Sequence, residues 1–168
     1  MVCQVIDHAS GASSAANPLM SLPPLASSTL QAAAMSAVVI DTNIVLDVFV
    51  FADESSRPVL PAIAAGELRW LATAAMREEL ARVLGYPQIA PRLACCGLAS
   101  ESVLACFDRY AQLVEAPVKA PVTCSDPDDQ KFIDLAVARQ ALLLSKDRAV
   151  LSLKKRLAAW SVCARAAM

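Results

Sequence analysis

Val38-Val39-Ile40-Asp41-Thr42-Asn43 is the stretch that decides the fold. Ala37 to Ile40 form a short, mostly β-branched apolar run that stops at an acid, the pattern of a buried strand. Beyond it, Ile44 to Phe51 suit either a helix or an extended segment, and Asp53-Glu54-Ser55-Ser56 breaks the run. Pro58 fits the first turn of a helix running to about Gly66. Leu68–Ala72 reads as a second strand. Thr73 then caps a helix over Ala74 to Leu84, with Met76, Leu80, Val83 and Leu84 on one face and Gly85-Tyr86-Pro87 ending it. Ser100 caps a further helix carrying Val103, Leu104, Phe107, Tyr110 and Ala111. Asp126-Pro127-Asp128-Asp129 opens another, with Phe132, Leu135, Ala136 and Arg139. Ala141–Ser145 is a third strand, followed by a helix over Leu151–Leu157 and a last strand near Trp160–Cys163. Strands separated by helices predict an α/β protein, a three-layer αβα sandwich around a central, mostly parallel, Rossmann-like sheet.

At 168 residues the chain has room for one such domain and little more. Residues 1–35 contain no Lys or Arg and are rich in Ser, Ala and Pro, and the first basic residue is Arg57. A signal peptide needs a positive start and a transit peptide needs arginine, so neither is predicted. The segment is expected to be a disordered or loosely attached extension, with residues 36–168 forming the domain. Met35, directly before the first strand, is the expected natural start, the stretch before it being a mis-assigned extension.

Fifteen basic residues against 16 acidic ones argue against a polybasic binder held by phosphate neutralisation. Mean hydropathy is +0.48. Yet no run of about 18 strongly apolar residues lies outside the N-terminal third, so no membrane span is predicted. Cys3, Cys95, Cys96, Cys106, Cys124 and Cys163 contain no C-x-x-C pair, and His8 is the only histidine. A zinc finger is excluded, and histidine-based triads would need His8. The cysteines are expected as small buried side chains of a cytoplasmic protein. Carboxylates are left to carry any chemistry.

Sites in open α/β sheets form outside the carboxyl ends of the strands. Asp41 ends the first strand and Asp147 follows the third by two residues, so both are expected at one edge. Glu79 flanks the apolar stripe of its helix, whereas Glu78 points outward. Asp129 lies three residues before Phe132, inclined toward the sheet, and Asp134 is expected to be solvated. Each acid also has an ordinary structural explanation. Asp126, Asp128 and Asp129 make a good helix start, and Asp41-Thr42-Asn43 can turn the chain. Glu79 can pair with Arg77 or Arg82, and Asp147 can cap a helix. Taken together, converging carboxylates without basic partners repel one another unless a cation is present. Mg2+ or Mn2+ prefers such oxygen donors and can activate water against a phosphodiester. A histidine-free, all-carboxylate site therefore points to metal-dependent phosphodiester hydrolysis.

Val38-Val39-Ile40-Asp41-Thr42-Asn43, Arg77-Glu78-Glu79-Leu80-Ala81-Arg82-Val83-Leu84, Cys124-Ser125-Asp126-Pro127-Asp128-Asp129-Gln130-Lys131-Phe132 and Leu144-Ser145-Lys146-Asp147 together resemble the PIN domain. The likeness covers roughly residues 36–162 and is greatest to the toxin branch of bacterial toxin–antitoxin systems. It implies a compact αβα nuclease cutting single-stranded RNA with Mg2+ or Mn2+. It also implies that Asp41, Glu79, Asp129 and Asp147 form the acidic cluster and metal ligands. Asn43 would orient Asp41 or a bound water, and Asp128 is a neighbour able to exchange roles with Asp129. Thr42, Lys146 and Arg148 are the substrate-contact candidates. An antitoxin protein and a homodimer are the implied partners besides RNA.

Three positions depart from the family pattern. Gln140 stands where glycine commonly ends the helix. Lys146 stands where glycine often precedes the last acid, so its ammonium is expected to compete with a second metal. Ala149 stands where another acid often occurs. A phosphoaspartate enzyme of the haloacid-dehalogenase type needs a second Asp at position 43, which is Asn, and a receiver domain needs an acid pair near the first strand. The stronger alternative is a non-catalytic PIN-like interaction module.

Overall fold

Ser36–Ile40 forms β1, and Val38 and Val39 in it are wholly buried, as a strand covered on both faces requires. The computed structural model describes residues 36–168, and the expectations placed on residues 1–35 fall outside them. From β1 the chain runs through α1 (Thr42–Leu46), a π-helical turn over Asp47–Phe51, a 3-10 turn over Glu54–Ser56 and α2 (Val59–Ala64) to β2 (Leu68–Ala72). It continues through α3 (Ala74–Leu84), α4 (Ala90–Cys95) and α5 (Ser100–Tyr110) to β3 (Ala111–Leu113). A long loop and α6 (Gln130–Arg139) return it to β4 (Leu142–Leu144), and α7 (Arg148–Leu151) and α8 (Lys154–Ala158) lead to β5 (Ala164–Arg165).

The strand order is β3-β2-β1-β4-β5 and every pairing is parallel. Val38 sits opposite Trp70 on one side and Leu142 on the other. From β1 the connections move outward to β2 and β3, whereas from β4 they move the opposite way to β5. The carboxyl ends of β1 and β4 therefore flank the switch point of the sheet, where such folds leave a crevice.

The helices complete the αβα sandwich. Phe132, Ile133, Leu135 and Ala136 are the buried side of α6, which packs on β1 and β4. α2 packs on β2, and α3 lies against α5. Trp70 of β2 meets the Phe107 ring edge-on at 4.8 Å and the Phe49 ring stacked at 6.5 Å. Gln140 ends α6 at φ 48°, the left-handed region that glycine enters without a side-chain penalty. That geometry accounts for the glycine expected there by resemblance.

The structure decides one open reading and corrects several others. Ile44 to Phe51 is helical throughout, because Ile44, Val45, Leu46 and Val50 all turn into the core. Ser100 is the first residue of α5 rather than its cap; Ala99 precedes it and no side chain caps the helix. Ala111 leaves that helix to start β3, where pairing with Trp70 gives the backbone a partner at the sheet edge. Asp126 to Asp129 form a turn, and α6 begins only at Gln130. The expected helix over Leu151–Leu157 is two short helices. The last strand falls at Ala164–Arg165, after a left-handed turn at Ser161 with φ 59°. Among the described cysteines Cys95, Cys96 and Cys163 are exposed, Cys106 is intermediate and Cys124 is buried; α4 turns Leu93 rather than Cys95 into the core. No helix among the described residues is long and apolar enough to cross a membrane.

Candidate active site

The edge where β1 and β4 end is knitted together by side chains. The Asp41 N–H donates to the Leu144 carbonyl at 2.9 Å, tying the two strand ends. Asp41 itself is only 4% exposed. Its Oδ2 accepts from the Ser145 hydroxyl at 2.5 Å and from Asn43 Nδ2 at 3.0 Å. Asn43 Oδ1 accepts from the Lys146 N–H at 3.3 Å, which fixes the Asn43 amide with its donors toward Asp41. The Asp147 N–H donates to Ser145 Oγ at 3.0 Å, and Asp147 Oδ1 accepts from the Ala149 N–H at 2.6 Å, capping α7. Ser145 thus links Asp41 to the turn bearing Asp147. Nothing in the local sequence marks Ser145, since its role depends on β1 and β4 being neighbours.

Glu79 enters from α3, between the buried Met76 and Leu80, while Glu78 is exposed. Its Oε1 accepts from the Thr42 hydroxyl at 2.9 Å. Its Oε2 is ion-paired with the Lys131 ammonium, which also donates to the Asp128 carbonyl. The expected Arg77 partner instead grips Asp108 through two charged hydrogen bonds of 2.6 and 2.7 Å. Thr42 is buried and spends its hydroxyl on Glu79. Arg148 and the Asp128 side chain face solvent.

Asp129 stands at the start of α6, half-buried, and its Oδ2 is a buried oxygen with no hydrogen-bond partner. Burial, joined by the charges of Asp41, Asp147 and Asp126 and opposed by Lys131, pushes its pKa up to about 7. Asp41 is also raised, first by burial and then by the charge of Glu79, against the Ser145 hydrogen bond that favours its ionised form. These mutual effects put Asp41, Glu79, Asp129 and Asp147 in one electrostatic field.

The turn that carries Asp129 is strapped to α6. Gln130 Nε2 donates to the Val122 carbonyl at 3.0 Å and to Asp134 Oδ1 at 2.6 Å. Gln130 Oε1 accepts from the Cys124 N–H at 2.8 Å, and Asp134 Oδ1 accepts from the Ala120 N–H at 2.8 Å. Asp134 is therefore part-buried, correcting its expected solvation: the preceding loop folds back over α6 and covers it. Gln130→Ala leaves partly buried backbone groups unpaired and is expected to cost about 1–3 kcal/mol, read as a lower urea midpoint at unchanged m-value.

Lys146 is paired with two acids outside the expected four. Its ammonium lies 2.7 Å from Asp47 Oδ2 and 3.3 Å from Asp53 Oδ2, two acids that hold its pKa above the ordinary lysine value. The π-helical turn and the loop after it bring both acids to Lys146, a pairing that local sequence does not announce. The cation that meets one of the four expected acids is Lys131.

Among the described residues no three or more His, Cys, Asp or Glu close into a ready-made coordination group. The donor chemistry nevertheless fits a hard divalent ion. The donors are carboxylate oxygens, one of which, Asp129 Oδ2, is buried without a donor, and burial together with neighbouring negative charge raises two of the acids.

A five-stranded parallel sheet covered by helices, with carboxylates outside its switch point, defines an α/β protein of the αβα-sandwich class. A family model described as PIN domain matches residues 37–149. The chain belongs to the PIN domain family. Among solved structures it is similar to VapBC2 from Rickettsia felis bound to a DNA fragment from their promoter, with a TM-score of 0.53 at 13% identity. That alignment covers 77% of this chain and 97% of the other and bears on the fold alone. No curated protein sequence matches the chain.

Proposed function

We propose that the protein is a divalent-metal-dependent endoribonuclease of PIN type, cutting single-stranded RNA as the toxin of a bacterial toxin–antitoxin pair. The observation that carries the reading is the buried, donorless Asp129 oxygen within the field of Asp41 and Asp147 at the sheet's switch point. Asp41, Glu79, Asp129 and Asp147 would hold Mg2+ or Mn2+. When bound, such an ion supplies positive charge to the phosphodiester and makes water a stronger nucleophile. Ser145 and Asn43 fix the Asp41 carboxylate, and Thr42 fixes Glu79. One of the acids of the cluster would accept the proton lost by the attacking water. Arg148, exposed beside Asp147, is the side chain for a phosphate contact.

A toxin role, an antitoxin partner and a cytoplasmic location belong to the same proposal, in keeping with membership of the PIN family and with the fold shared with VapBC2. Residues 36–168 constitute the domain, and a homodimer is its proposed assembly. The second reading, a non-catalytic interaction module, draws on the Glu79–Lys131 ion pair, which neutralises one acid of the cluster. Labelled single-stranded RNA incubated with Mg2+, Mn2+ or EDTA separates the two. Cutting with either ion and none in EDTA is the expected result. No cutting by folded, antitoxin-free protein would favour the module.

A further inference from the structure

We infer that the Lys131 ammonium is a built-in counter-ion of Glu79 that a divalent cation must displace, so that Lys131 sets the affinity of the carboxylate cluster for the ion. The inference rests on the metal-site reading above. Both oxygens of Glu79 are engaged: Thr42 donates to Oε1, and the Lys131 ammonium pairs with Oε2. The paired side chains are 25% and 14% exposed, so their attraction is less screened than that of a surface pair. Lys131 also acts on Asp129, lying two residues before it, and its Nζ is 4.9 Å from the Phe132 ring centroid. One ammonium thus pairs with Glu79 and acts on Asp129 through its charge.

A divalent ion held by Glu79 shares that carboxylate with the ammonium, and two cations at one carboxylate repel each other. Lysine suits an exchangeable counter-ion because its four-carbon stem is flexible and its head remains well hydrated when it swings outward. Lys146 does not share this role, because Asp47 and Asp53 hold its ammonium.

The test is calorimetric titration of the full chain with Mn2+, without RNA, for wild type, Lys131→Met, Lys131→Arg, Glu79→Gln and the Lys131→Met, Glu79→Gln double variant. Circular dichroism melts check that each variant is folded. The expected result is Mn2+ binding on the order of tenfold tighter for Lys131→Met, within the usual range of coupling between two sites. Lys131→Arg, which keeps the charge, should stay near wild type. The gain of Lys131→Met over Glu79→Gln alone should be much smaller than its gain over wild type, because the carboxylate competed for is gone and only the weaker effect of Lys131 on Asp129 remains. Equal or weaker binding by Lys131→Met, with Mn2+ still bound by wild type, overturns the counter-ion role and leaves the metal site standing. A gain of undiminished size without the Glu79 charge overturns it equally. Absence of Mn2+ binding in every folded variant overturns both the role and the metal site.

Discussion

Asp41→Asn is expected to lower metal-dependent RNA cleavage by more than about 100-fold, because changing a residue that merely orients a metal ligand already costs roughly 10–100-fold. The substitution keeps the shape of the side chain and removes its charge. Asp41 Oδ2 receives two donors, the Ser145 hydroxyl and the Asn43 amide. An asparagine at this position satisfies them with its carbonyl oxygen and so turns its NH2 group toward the other acids. A hard cation then meets a donor where it needs an acceptor. Stability should not fall with activity, since burial already disfavours the Asp41 charge. Initial rates on labelled RNA, read beside a thermal melt, check both halves of the expectation. A well-folded variant cutting at more than about a tenth of the wild-type rate would remove Asp41 from the ligand set proposed here.

Asp129→Asn is expected to do the opposite to stability, and only at one end of the pH scale. The folded-state pKa of Asp129 is about 7, whereas an unfolded aspartate titrates near roughly 3.9. Between those values the folded chain holds a proton that the unfolded chain has lost. Stability from this group is therefore full below about pH 4 and falls as pH rises toward about 7, with no further change above. Asparagine does not titrate and escapes the loss. Without added divalent ion, the variant should exceed wild type by about 1–2 kcal/mol at pH 8, a figure reduced for the group's contact with solvent. At pH 4 the difference should be close to nothing. Urea midpoints at pH 4, 6 and 8 decide it; an advantage that grows toward acid would have the wrong sign for a raised carboxyl. Losing an acid of the cluster should also weaken Mn2+ binding, so stability without metal and metal affinity move in opposite directions.

The sites of the four acids were legible because each sits beside a punctuation mark. Asp41 stops an apolar run, Asp147 follows one, Asp129 precedes the buried face of α6, and Glu79 flanks the stripe of α3. What each acid touches was not legible in the same way. Asp134 reads as a solvated position on its own helix, and it becomes part-buried only because residues 120–124 return across α6 and use it as an acceptor. Lys146 reads as a cation next to the last acid, yet Asp47 and Asp53, far back in the chain, claim it. Lys131 reads as one more charge on a helix that begins with acids. Its partner Glu79 comes from another helix, so no spacing within either segment announces the pair.

The same division holds for the fold. Hydrophobic periodicity and turn residues are local properties, and by themselves they determined the alternation of strands and helices, the parallel sheet and the edge at which the acids emerge. Only the tertiary structure decided that Ala111–Leu113 joins the sheet, that the last strand starts at Ala164, and that Ser145 bridges Asp41 and the Asp147 turn. An edge strand exists when a neighbour offers its unpaired backbone groups, and a carboxylate's charge state depends on which groups fold up against it. Both depend on residues brought together from distant parts of the chain, and that proximity is created by the fold rather than written in any one segment.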